Sequence, residues 1–265
     1  MKILGKFLLL LGGIAVCYLV LLQVNWTTIF QVKENRDRLE ERLGKVVLEQ
    51  VKDMYDVIDD DDVNSTLDSI FIPLLKDNYI STKNYDLFLV KSVEVNAFAL
   101  PDDKIIVTTG LINFLDSADY LSAVLAHEVA HCEKNHVMKS LITNFGLDLL
   151  LSGSGTGEVT NFVTGQAFSR QLEKEADEMA VEYLDAARIN PNSIAKVMDM
   201  FDVYLSSDDD VSWISSHPVP SDRKKYLSQK IDRLKTNPKM YKEAISSDSW
   251  NRLKDRISSS SDNES

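Results

Sequence analysis

Tyr120-Leu121-Ser122-Ala123-Val124-Leu125-Ala126-His127-Glu128-Val129-Ala130-His131 is the stretch whose reading decides the fold. Leu, Val and Ala in this run favour a helix, with Asp116 or Ser117 as a suitable N-cap. On a helix, residues i and i+4 lie on one face about one turn apart, so the two imidazoles stand side by side and can share one zinc ion. Glu128 lies beside His127 and can reach a water on that ion. Zinc lowers the pKa of its water to about 7, so a carboxylate there can act as general base at neutral pH. Histidine is scarce, four in 265 residues, which makes two at this spacing with Glu between them informative. The pair still needs a third ligand from elsewhere in the chain.

Composition narrows the field. Apolar residues are 44% of the chain, ample for a core, and the net charge is −12. That charge argues against non-specific binding to nucleic acid or anionic membrane surfaces, and no Lys/Arg cluster interleaved with aromatics is present. No nucleic-acid partner is expected. Two cysteines exclude a thiolate metal site by count: Cys17 lies in the apolar N-terminal run and Cys132 beside the zinc motif.

Lys2 and Lys6 precede a run from Phe7 to Leu22 without a charge. That length is near the lower limit of a membrane span, and Trp26 suits an interfacial anchor. Residues 1–24 are read as an uncleaved signal anchor, or transmembrane helix, that exports the remainder; a cleaved signal peptide is the main competitor. Residues 25–82 form a helical N-terminal part, with one helix over 33–58 and a second over 65–79 that tolerates Pro73 poorly. The run Asp59 to Asp62 between them reads as a solvated turn.

The catalytic core is placed at 83–245. Tyr85 to Lys91 reads as a strand, and Val93–Leu100, Pro101-Asp102-Asp103 and Lys104–Thr109 as a small antiparallel hairpin. One sheet edge can take an extended peptide by strand addition. The zinc helix is expected to continue through His136 to Leu141, which turns His136 away from the first two histidines as a structural residue. Ser152 to Gly157 lacks the Lys-Ser/Thr ending of a phosphate loop and reads as a mobile loop near the cleft. Lys224–Leu234 is expected to be the last helix. The Ser/Asp-rich residues 246–265 are read as a disordered tail.

In Ser169-Arg170-Gln171-Leu172-Glu173-Lys174-Glu175-Ala176-Asp177, Glu173 and Asp177 share a helix face. Glu173 as third ligand and Asp177 as hydrogen-bond acceptor for a ligating imidazole would complete an HExxH site. A solvated acidic face is the other reading of the same residues. His127-Glu128-Val129-Ala130-His131, this acidic helix and His217-Pro218-Val219-Pro220-Ser221-Asp222-Arg223, in that order, resemble the HtpX-like and BepA-like zinc metallopeptidases. That gluzincin family also includes the CaaX prenyl protease and mitochondrial inner-membrane relatives. Asn96-Ala97-Phe98-Ala99 and Thr109-Gly110-Leu111 are similar to the family's strand before the zinc helix and the start of that helical region.

The resemblance implies an α+β, mainly helical gluzincin domain with a small antiparallel sheet beside the HExxH helix. It implies one Zn2+ held by His127, His131 and Glu173, Glu128 as general base, and Asp177 orienting a ligating His. It places His217 near the metal, either stabilising the oxyanion or occupying the open zinc position in a latent state. Asn96, Ala97 and Arg223 are expected at the substrate; Arg223 can equally tie down the His217 loop or pair with an acid. Two positions depart from the family pattern: Met179-Ala180 and Arg188 stand where relatives commonly carry glycine. The expected activity is endopeptidase cleavage of misfolded or envelope polypeptides by an exported, membrane-anchored domain. The alternative is a latent or non-catalytic zinc-binding holdase. An exopeptidase is disfavoured by the long spacing between His131 and Glu173.

Overall fold

The computed structural model describes residues 32–146, 150, 156–165, 168–205, 217, 223–235 and 237–262. The expected anchor at 1–24 lies outside them. Among the described residues no helix is long and apolar enough to cross a membrane. The chain divides into residues 1–40 and 41–265, and the account below concerns the larger unit.

In order, the elements are α1 (Val32–Met54), α2 (Asp61–Asp77), β1 (Asp86–Val90), β2 (Ala97–Leu100), β3 (Lys104–Thr108) and α3 (Thr109–Phe114). Then come α4 (Ala118–Glu133), α5 (His136–Phe145), α6 (Thr156–Gly165), α7 (Arg170–Ala186), α8 (Asn192–Leu205), α9 (Arg223–Ile231) and α10 (Ser247–Asp262). α4 is the axis of the fold. Its residues from Leu121 to Cys132 are all buried, the apolar ones in the core and His127, Glu128 and His131 among the buried polar groups. α7, α8, α2, α5 and β2 pack around it.

The sheet is mixed rather than a simple antiparallel hairpin. β2 and β3 pair antiparallel, with Ala97 opposite Val107 and Leu100 opposite Lys104. β1 joins the other side of β3 in parallel, Asp86 opposite Lys104 and Val90 opposite Thr108, giving the order β1-β3-β2. The reason lies in the crossing segment 91–96. Gly110 N–H donates to Ser92 C=O, Thr109 Oγ1 donates to the same carbonyl, and Thr108 Oγ1 donates to Glu94 C=O. Segment 91–96 therefore passes over the end of β3, and β2 starts on the far side. Gly110 is required for that passage: a Cβ there would lie 2.3 Å from Glu94 O and 2.4 Å from Val93 O.

The acidic run does more than fill a turn. Asp60 caps α2, its carboxylate accepting from the backbone N–H of Asp62 and Val63. α2 thus begins earlier than its apolar pattern suggested and continues through Pro73. Pro73 is exposed, while Ile70, Phe71, Leu74 and Leu75 are buried. Burying such side chains is worth about 1.5–3 kcal/mol each, which outweighs the roughly 3 kcal/mol cost of an interior proline. At the end of α7, Arg188 adopts φ 58°, and Ile189 N–H donates to Leu184 C=O. This is the left-handed helix cap that glycine favours, so the departure at Arg188 is local backbone strain outside the site.

Where a disordered tail was expected, Ser247–Asp262 form a helix, α10. α10 buries Trp250, Leu253 and Ile257, an i, i+3, i+7 stripe hidden among serines and aspartates. Lys254 Nζ donates to Leu115 C=O at 3.0 Å, and Arg256 pairs with Asp60 at 2.9 Å and Asp62 at 2.9 Å. Trp250→Ala should therefore lower unfolding free energy by about 3–5 kcal/mol, read from urea denaturation. An unchanged midpoint would mean that α10 contributes nothing to the fold. α9 ends at Ile231 and is not the last helix.

Candidate metal centre

α4 presents His127 and His131 one turn apart, with Nε2 atoms 3.1 Å from each other. α7, started by Ser169 Oγ accepting from Leu172 N–H, lays Glu173 and Asp177 against them. Glu173 Oε2 is 3.4 Å from His127 Nε2, and its Oε1 is 3.4 Å from His131 Nε2. His217 Nδ1 is 3.0 Å from Glu173 Oε1 and 3.3 Å from His127 Nε2. Its Nε2 is 3.5 Å from Glu128 Oε1. His127, Glu128, His131, Glu173, Asp177 and His217 are all buried.

The four groups His127, His131, Glu173 and His217 each offer a ligand atom, and these atoms lie within 4.8 Å of one another. Ligand atoms at 2.0–2.1 Å from a tetrahedral zinc ion are about 3.3–3.4 Å apart. The contacts here, 3.0–3.4 Å, match that spacing, and a nitrogen-rich set with one carboxylate suits a divalent transition ion. The residues fit the metal.

The electrostatics point the same way. Burial opposes charge on His127, but the Asp177 and Glu173 carboxylates outweigh it and hold its pKa up to about 9. The pocket therefore favours positive charge. Burial, with His127 and His217 nearby, pushes His131 well below the usual range and keeps its lone pair available. Burial works against ionisation of Glu173, yet His217, His127 and His131 hold its carboxyl well down.

Asp177 Oδ1 is 3.0 Å from His127 Nδ1, so this carboxylate meets the ring nitrogen facing away from the cluster. Arg223, at the start of α9, grips Asp177 with two donors, Nε to Oδ2 and Nη2 to Oδ1, both 2.6 Å. Burial opposes ionisation of Asp177, but Arg223 and His127 keep its carboxyl low. Tyr226 Oη donates to the same carboxylate.

The description "Peptidase family M48" matches residues 61–231, well over half of the chain. The chain belongs to peptidase family M48. A mitochondrial metalloendopeptidase OMA1 of Arabidopsis thaliana is 31% identical over 153 residues, 55% of this chain and 31% of its own length. The beta-barrel assembly-enhancing protease of Escherichia coli is 22% identical over 204 residues, 69% of this chain and 42% of its own. The mitochondrial metalloendopeptidase OMA1 of Bos taurus is 26% identical over 174 residues, 57% and 33% respectively. This M48 chain thus spans 31% to 42% of the length of these curated relatives.

Of the roles open to Arg223, the contacts observed are the acidic partner and the tie to the His217 segment: it is fully buried, and besides Asp177 it donates through Nη1 to His217 C=O at 3.2 Å. Asn96 spends its backbone on Thr108, its carbonyl accepting from Thr108 N–H and its N–H donating to Thr108 Oγ1. Ala97, next along β2, lies on the sheet's edge strand; alternation of the ladder turns its amide and carbonyl outward.

The zinc helix does not run through His136. α4 ends at Glu133, Asn135 takes φ 54°, and the chain turns so that His136 comes back to His131, Nδ1 to Nδ1 at 3.1 Å. Asn is among the few residues that adopt this left-handed backbone readily. Burial and Lys139 push the His136 pKa down to about 4, so its imidazole is neutral. Phe168, which carried no sequence signal, stacks on His131 with ring centroids 4.1 Å apart. The glycine-rich run falls mostly outside the described residues, and its last two, Thr156 and Gly157, belong to α6.

Proposed function

We propose that this chain is a zinc-dependent endopeptidase whose resting form is closed by His217. The observation that carries the reading is the convergence of His127 and His131 from α4 with Glu173 from α7 on one point. Zinc bound there would polarise a scissile carbonyl and lower the pKa of water to about 7. Glu128, buried on the same helix, takes the proton of the attacking water and returns it to the leaving amine. Asp177 holds the His127 ring in one tautomer, and Arg223 balances the charge of Asp177. β2 is an edge strand, but Ala97 is fully buried in this closed form, so an extended polypeptide would pair with it only after the site opens.

A catalytic zinc site keeps one position open, whereas four protein ligands close it. His217 Nδ1 supplies the fourth group, and its Nε2 faces Glu128, so one ring covers both the vacant corner and the base. His217→Ala is expected to raise cleavage of an unfolded substrate by about 10–100-fold if the parent is open only 1–10% of the time. A fall instead of a rise would assign His217 to oxyanion stabilisation.

Misfolded proteins of an envelope or membrane compartment are the proposed substrates, by analogy with relatives described as a mitochondrial metalloendopeptidase and a beta-barrel assembly-enhancing protease. The charge-free run Phe7–Leu22 would anchor the domain there. Casein digestion with and without a chelator tests the activity. Chelator-sensitive cleavage restored by zinc is expected; casein holding without cleavage, even by His217→Ala, would favour a holdase.

A further inference from the structure

The two ligating imidazoles are held from behind in different ways. His127 Nδ1 meets a buried carboxylate, Asp177, whose charge Arg223 neutralises. His131 Nδ1 meets another imidazole. His136 Nδ1 lies 3.1 Å from it, and His136 Nε2 lies 3.5 Å from Glu175 Oε2. Glu175 Oε1 is itself 3.3 Å from Lys134 Nζ.

We propose that His136 is a positioning residue for the metal, linking His131 to Glu175 at the protein surface and fixing the tautomer and plane of the His131 ring. The inference rests on the metal-centre reading above. Proton placement follows from the contacts. His131 turns Nε2 toward Glu173 and His127, and that nitrogen must offer a lone pair to a cation. Its proton is then on Nδ1 and is donated to His136 Nδ1. His136, accepting there, carries its own proton on Nε2, the nitrogen on the side of Glu175 and 3.5 Å from its Oε2 without hydrogen-bond geometry.

A neutral relay is the arrangement this site can accommodate. Arg223 is the cation buried against Asp177 and Glu173. A further carboxylate placed directly behind His131 would be a buried charge without such a partner, which is strongly unfavourable. The imidazole of His136 brings no such charge, and the carboxylate beyond it, Glu175, is 38% exposed and already paired with Lys134. The left-handed turn at Asn135 makes this possible, because an unbroken helix would point residue 136 elsewhere.

Ligand-orienting partners of this kind are typically worth 10–100-fold in metal affinity. The test uses the full chain and measures zinc affinity by chelator competition, together with the visible spectrum of the cobalt(II)-substituted protein. His136→Leu should weaken zinc 10–100-fold and shift the cobalt bands. His136→Asn should recover affinity to within a few-fold, because Asn Oδ1 can stand where Nδ1 accepts. Glu175→Ala, on the surface, should weaken zinc only a few-fold. Parent-like affinity and spectrum in His136→Leu would overturn the proposal, as would equal loss in His136→Leu and His136→Asn, which would mark a packing role. If the parent itself bound no divalent ion, the metal-centre reading would fail first, and the link with it.

Discussion

Glu128→Gln is expected to lower the rate of peptide hydrolysis by about 10²–10⁴-fold while leaving the metal in place. The separation of the two effects follows from position. Glu128 is fully buried on α4 between the two histidines in sequence, yet it is not one of the four groups whose ligand atoms converge. The amide of Gln has nearly the same shape as the carboxylate but cannot accept the proton of an attacking water. Rates on unfolded casein, measured in a His217→Ala background so that the corner is open, would isolate the base. Undiminished cleavage with zinc bound would remove Glu128 from its assigned role.

Arg223→Leu carries the second large effect, and this one is on stability. Arg223 and Asp177 are both fully buried and joined by two 2.6 Å hydrogen bonds. Removing the cation leaves a carboxylate inside the protein without its partner, a loss of about 3–5 kcal/mol. Lysine would restore the charge but not the two-pronged geometry, so Arg223→Lys should fall between the two. The pH dependence has a definite sign. Asp177 and Glu173 are held below their ordinary carboxyl values near 4, so their contribution is present above that pH and is lost as acid protonates them. The leucine variant should lack part of this acid-dependent loss. Urea denaturation of the metal-free protein between pH 3 and 7 reads both effects, and parent-like midpoints would contradict the account.

The central geometry was legible in the sequence because it depends only on helical spacing. His127 with His131, and Glu173 with Asp177, each pair across one turn, so recognising two helices was enough to predict that each pair shares a face. What escaped the reading depended on information that periodicity does not carry. Asn135 in a left-handed conformation cancels the 100° per residue arithmetic that sent His136 away. Propensity identifies strands but not their order, so the crossing of segment 91–96 over β3 was invisible. In α10 three apolar residues were outnumbered by Ser and Asp, although their spacing was there to be counted. For Arg223 the sequence leaves substrate contact, a tie to the His217 loop and an acidic partner equally open, and only packing sets it against the buried Asp177. Phe168 belongs to no pattern at all; only packing puts it on His131.

The zinc content of the purified full chain, compared with that of Glu173→Ala, tests the central claim most directly. The account predicts about one zinc per parent chain, removable by chelator, and little or none in the variant when both proteins also carry His217→Ala, because α4 then supplies the only two ligands left. Equal zinc in both proteins would show that α7 does not complete the site, and the reading of this chain as a metallopeptidase built on His127, His131 and Glu173 would be wrong.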